Sequence, residues 1–121
     1  MTERRKTLSL RLSAKTPDEA ALDAQTLIEQ AIAHHLCVRW SYNRTMMRAA
    51  PQILYRKKGG VYLDAIVIER GGAAPAETKL GSFKLTGLTH LVITTEAFTP
   101  DASIDIGDAR YSEGVIARAT A

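Results

Sequence analysis

Four side chains have the types and spacing to hold an anionic ligand: Arg39, Arg48, Tyr62 and Lys84. Arg48 precedes Ala49-Ala50-Pro51 at the start of an expected strand. Tyr62 lies two residues from Asp64 on the next strand and so faces the same way. Lys84 stands between Phe83 and Leu85 and faces away from both, and Arg39 points opposite Trp40. A curled sheet gathers such outward side chains from neighbouring strands onto one surface. There arginine and lysine meet phosphate or carboxylate, and tyrosine stacks on a base. The same pattern also describes the solvated outer face of any small barrel, since charge runs alone rarely specify a site.

Catalytic chemistry finds less material. His34 and His35 are adjacent, so on a helix they point about 100° apart and cannot share one metal well. His90 is isolated, and Cys37 has no second cysteine with which to form a zinc pair. Gly59-Gly60 and Gly71-Gly72 lack the pattern of a phosphate-binding loop. Neither Ser41 nor Ser82 sits in a nucleophile motif. The expectation is a protein that is not an enzyme, with no catalytic residue, metal or cofactor.

The elements that must position the four candidates follow from periodicity. Thr16-Pro17-Asp18-Glu19 reads as a capping box with proline in the first turn. Beyond it Ala20, Ala24, Leu27, Ile28, Ala31, Ile32 and His35 recur at helical spacing, which predicts an amphipathic helix near residues 17–36. The period then changes to two. Val38, Trp40 and Tyr42 share a face, and a turn at 43–45 leads into a strand over 47–56. Pro51 lies inside that strand and predicts a bend, a bulge or an edge. A hairpin turn at 57–60 follows, with both its lysines in water. Strands at 61–69, 79–85 and 90–98 come next, the first two separated by a Gly/Ala/Pro loop. Val38, Trp40, Ile53, Leu63, Ala65, Val67, Phe83, Leu85 and Ile93 are the expected core.

Ahead of the helix, residues 1–15 are basic, with Leu8, Leu10 and Leu12 alternating as in a short extra strand. Behind the last strand, residues 99–121 read as an extension. Residues 103–106 suggest a short strand there, and the end offers little to anchor it beyond Val115 and Ile116. The domain proper is therefore placed at 16–98. The fold class expected is mainly β with one N-terminal helix, an antiparallel meander curled into a small barrel of the Sm-like or SH3-like kind.

The chain has 121 residues, 45% of them hydrophobic and 24% charged, which suits one globular domain with one modest core. A net charge of +3 permits attraction to phosphate without demanding it. A lone cysteine excludes an internal disulfide. There is no apolar stretch resembling a signal peptide or a membrane span, so a cytoplasmic location is expected.

In order and spacing, residues 26–98 resemble a WYL domain, the small Sm-like sensor barrel of bacterial transcription regulators. Arg48 and Pro51 resemble its Arg-x-x-Pro element. Val61-Tyr62-Leu63 resembles the naming Trp-Tyr-Leu tripeptide, and Phe83-Lys84-Leu85-Thr86-Gly87-Leu88 resembles the later basic motif. Tyr42 matches an aromatic residue at the end of the family's first strand. The resemblance implies a site for a nucleic acid or nucleotide at Arg48, Tyr62 and Lys84, and a transcription-regulator partner; with the matching Tyr42 and the outward-facing Arg39, these are the expected ligand-binding residues. Thr86 and Gly87 stand where the family has Asp and Arg, and Val61 replaces the tryptophan. No helix-turn-helix precedes the barrel, so a free-standing sensing or accessory module is expected, with no membrane contact. The alternatives are an assembly module without ligand, or a protein that binds single strands directly. A homodimer through an open strand edge is expected.

Overall fold

The structure, a computed structural model, describes residues 17–120; Thr16 and the strand expected around Leu8, Leu10 and Leu12 lie outside them. Helix α1 (Pro17–His34) is followed by strands β1 (Leu36–Tyr42), β2 (Thr45–Lys57), β3 (Gly60–Arg70), β4 (Leu80–Lys84), β5 (Thr89–Ala97) and β6 (Val115–Arg118). Short 3-10 turns occupy Leu85–Gly87 and Ala109–Tyr111. His35 ends the helix in the left-handed region, at φ 54°.

All pairings in the sheet are antiparallel, and the strand order is β4-β3-β2-β1-β5, with β6 added to β2. The two ends of that order, β4 and β5, are consecutive in the chain. In a flat sheet their edges would stand about 19 Å apart, four steps of about 4.8 Å. The four residues between Lys84 and Thr89 span less, because three of them form a 3-10 turn rising roughly 2 Å each. The sheet is therefore curled. β4 and β5 do not pair with each other, so it stays open along that seam.

Two of the hairpin turns have the geometry that right-twisted strands prefer. Asn43 and Arg44 have φ of 50° and 65°, and Lys58 and Gly59 have φ of 50° and 77°. Positive φ at both central residues marks the primed turns of two-residue hairpins. Tyr42 pairs with Thr45 and Lys57 with Gly60. The second turn is thus shorter than the expected 57–60, and Lys57 is a strand residue. Arg44 lacks glycine's freedom at its position. Arg44→Gly is expected to raise stability by roughly 0.5 kcal/mol, a balance of relieved strain and added chain entropy that denaturant melts would resolve.

The inside of the curl holds the main core: Ala24, Ile28, Ala31 and Ile32 of α1 against Val38, Trp40, Leu54, Leu63, Ala65, Val67, Phe83 and Leu85. Trp40 meets Phe83 edge-on, with ring centroids 5.1 Å apart. Ile93 is only half-buried, because β5 pairs on one side only.

Pro51 marks a bulge. Its partner on β3 is Ala65, yet Ile53 pairs with Asp64, so Gln52 is the extra residue. One added residue reverses the facing of everything beyond it. Met47 and Ala49 point into the main core, but Leu54 takes over that role past the bulge, and Ile53 and Tyr55 turn to the opposite face. Ile53 is buried as expected, in a second apolar cluster with Tyr55 and Tyr111. Beyond the bulge β2 also changes neighbours, from β1 to β6. Residues 103–106 form no strand; β6 lies further on. The segment ahead of it is tied to Gln52, whose Oε1 accepts from Asp101 N at 2.9 Å.

Candidate functional site

The bulge creates the site, because it puts Tyr55 and Lys57 on the same face as the outward residues of β3 and β4. Across three strands the register aligns Tyr55 with Tyr62 and Tyr62 with Lys84, and pairs Asp64 with Ser82. Tyr62 stacks on Tyr55 at 6.0 Å between centroids and 28° between planes. The Lys57 ammonium sits 6.0 Å from the Tyr62 ring centroid, within cation–π range. Lys84 reaches back over Gly60: a Cβ there would lie 3.3 Å from Lys84 Cε. Lys57 and Lys84 thus flank Tyr62, and among the described residues neither forms an ion pair. Beside Lys57 opens a cleft of about 470 Å³ lined by Tyr55, Lys57, Ser82, Asp108, Ala109 and Arg110.

Beneath this face lies Asp64, with no solvent exposure. Its Oδ1 accepts from Tyr55 OH at 2.8 Å and from Ser82 Oγ at 2.6 Å. Its Oδ2 accepts from Tyr111 OH at 2.7 Å and from Arg110 Nη1 at 3.3 Å. Two donors on each oxygen satisfy a carboxylate in the interior. Two of the four donors come from the 3-10 turn at Ala109–Tyr111, so the carboxylate fastens the C-terminal segment to the sheet.

Burial, reinforced by the Asp64 carboxylate, pushes the Tyr55 phenol from its ordinary 10 up to about 12 and shifts Tyr111 upward for the same reasons. A raised value means that the folded chain favours the neutral phenol. The contribution is therefore complete below about pH 10 and is lost as pH rises toward about 12. Thermal melts should hold up to about pH 10 and then fall. Phenolate absorbance should show Tyr55 and Tyr111 ionising late, and ionisation of both complete by about pH 10 would contradict this.

The other expected site residues lie elsewhere. Arg48 does not join Tyr62 and Lys84. It pairs across the sheet with Glu69, seven residues along β3 from Tyr62, or about 20 Å of strand. Its guanidinium is held by two carboxylates: Nε donates to Glu69 Oε1 at 3.4 Å and Nη1 donates to Glu96 Oε1. Arg39 is its cross-strand neighbour, exposed, and lines the same small depression with Glu69, Thr94 and Glu96. Tyr42 faces the main core. It packs edge-on against Phe83 at 5.3 Å and lies so close over Gly87 that a Cβ there would be 2.6 Å from its ring. An arginine at position 87 would therefore collide with Tyr42, so Gly87 belongs to the packing of Tyr42.

Asp64 carried a sequence signal, as a carboxylate inside an otherwise apolar strand whose burial demands partners. Nothing local pointed to Arg110 or Tyr111. Among the described residues, no group of His, Cys, Asp and Glu could hold a metal ion, and no helix is long and apolar enough to cross a membrane. Compared with family models, with curated proteins and with solved structures, the chain matches none of them.

Proposed function

We propose that this chain is a small-barrel binding module of the WYL kind. It takes a phosphate-bearing ligand, single-stranded nucleic acid or a nucleotide, on the face formed by Lys57, Tyr62 and Lys84. The observation that carries the reading is the pair of cations without ion pairs on either side of a cross-strand tyrosine. Phosphates would meet the two ammonium groups, and a base would lie against the aromatic surface. Arg48 lies off this face, opposite Glu69 at the far end of β3 from Tyr62. The strand order, with a 3-10 turn between β4 and β5, supports an Sm-like barrel. A role alongside a transcription regulator rests on the sequence resemblance alone.

Anisotropy of a labelled single-stranded oligonucleotide, titrated across salt, tests the reading. Affinity should fall steeply as salt rises, through counterion release. Lys84→Ala should weaken binding and flatten the salt slope by about one unit. Tyr62→Ala should cost about 1–3 kcal/mol with little change in slope. Arg48→Ala is the control and should do much less. Absence of binding at low salt sinks the proposal. So does an Arg48→Ala effect equal to that of Lys84→Ala, which would mean a diffuse basic surface.

A second reading, assembly through a strand edge, is favoured by the single-sided pairing of β5, nine residues long with Val92 exposed. Light scattering at high micromolar concentration would give a dimer mass under that reading, and a monomer mass would exclude it.

A further inference from the structure

We propose that Arg110 is a third cationic contact of the same anionic ligand and that the buried Asp64 acts as its positioning residue. The inference rests on the reading of the Lys57–Tyr62–Lys84 face as a ligand site, and it extends that site to the C-terminal segment.

Arg110 and Lys57 line one cleft. The arginine side chain is 41% exposed while the carboxylate behind it is fully buried. The guanidinium is held at two of its three nitrogens: Nη1 lies 3.3 Å from Asp64 Oδ2, and Nε lies 3.6 Å from Asp108 Oδ1. Nη2 forms no hydrogen bond or ion pair among the described residues. A planar group held at two nitrogens presents the N–H groups of the third in a fixed direction, which suits an oxyanion better than a free side chain does.

Asp64 is suited to hold that fork. Its other three donors, Tyr55, Ser82 and Tyr111, fix its own orientation. Asp108 adds a second brace, since its Oδ1 also accepts from Arg110 N at 2.9 Å and so fixes the backbone of the turn. The formal charge of Arg110 with its two carboxylates is negative. Long-range attraction therefore comes from Lys57 and Lys84, and Arg110 contributes direction. A ligand that fits carries a phosphate against the lysines and a second acceptor within reach of the fork, as successive nucleotides of a single strand do.

The same labelled oligonucleotide and salt series tests this. Arg110→Ala should weaken binding about tenfold, the scale of one charge-assisted hydrogen bond, with little change in salt slope, because its charge is already offset by Asp64 and Asp108. Arg110→Lys should keep the slope but not the affinity, because it retains charge and loses the fork. Asp64→Asn should weaken binding in the native background and add little in the Arg110→Ala background, since both changes act on one contact. An Asp64→Asn effect that stays full in the Arg110→Ala background would overturn the positioning role. If Asp64→Asn does not fold, the two substitutions at the exposed Arg110 decide. Should Arg110→Ala bind like the native chain while Lys84→Ala binds weakly, Arg110 is no contact, yet the ligand site stands. If the native chain binds no oligonucleotide at low salt, the site reading fails and this inference with it.

Discussion

Asp64→Ala is expected to cost about 3–5 kcal/mol of stability, the cost of removing one partner from a buried ionic network. The wild-type carboxylate accepts four hydrogen bonds. Its loss strands two buried phenols, Tyr55 and Tyr111, both of which donate to it. Arg110 suffers less, because it is partly exposed and keeps Asp108. Against a total stability of about 5–15 kcal/mol for a domain of this kind, the loss would leave a fold near its limit. Asp64→Asn should fall between, since its amide keeps one accepting oxygen and opposes the other two donors with an N–H. Urea melts of the three proteins would check the order. An Asp64→Ala melt that coincides with the native one would mean that the network does not hold the C-terminal segment.

The legible part of this fold is the part set by local periodicity. Val38 and Trp40, Leu63 and Ala65, and Phe83 and Leu85 recur at a period of two, and all are buried in the main core. The alternation that puts Tyr62 and Lys84 outward also places them side by side, because β3 and β4 pair in the register their hydrophobic faces require. What periodicity could not supply is long-range. Pro51 announced an irregularity, but nothing in sequence said that Gln52 would be the extra residue, and that one residue decides whether Tyr55 and Lys57 face the core or the site. Arg48 sits in an exposed-looking pattern, yet its carboxylate partners come from 21 and 48 residues away. The demand for glycine at position 87 likewise comes from a distant residue, Tyr42, whose ring leaves no room for a Cβ there.

The C-terminal segment is the least legible element and carries the second large effect. Ending the chain after Glu113 removes β6, which pairs with Ile53, Leu54 and Tyr55 on the half of β2 that β1 does not reach. It also removes the bonds from Arg56 N to Gly114 O and from Ala119 N to Gln52 O, both 2.8 Å. A handful of backbone hydrogen bonds at about 1 kcal/mol each, with the burial of Ile116 and Ala119 at roughly 1–2 kcal/mol together, comes to on the order of 5 kcal/mol. Residues whose own sequence is short and weakly patterned gain this weight only because β2 presents them a ready edge. The truncated chain is therefore expected to lose its cooperative melt and to associate through the exposed edge of β2, since an uncovered strand templates pairing. Size-exclusion chromatography with light scattering, run beside a denaturant melt, measures both. A truncated chain that stays monomeric and melts at the native midpoint would show that the pairing of β6 with β2 contributes little to the fold.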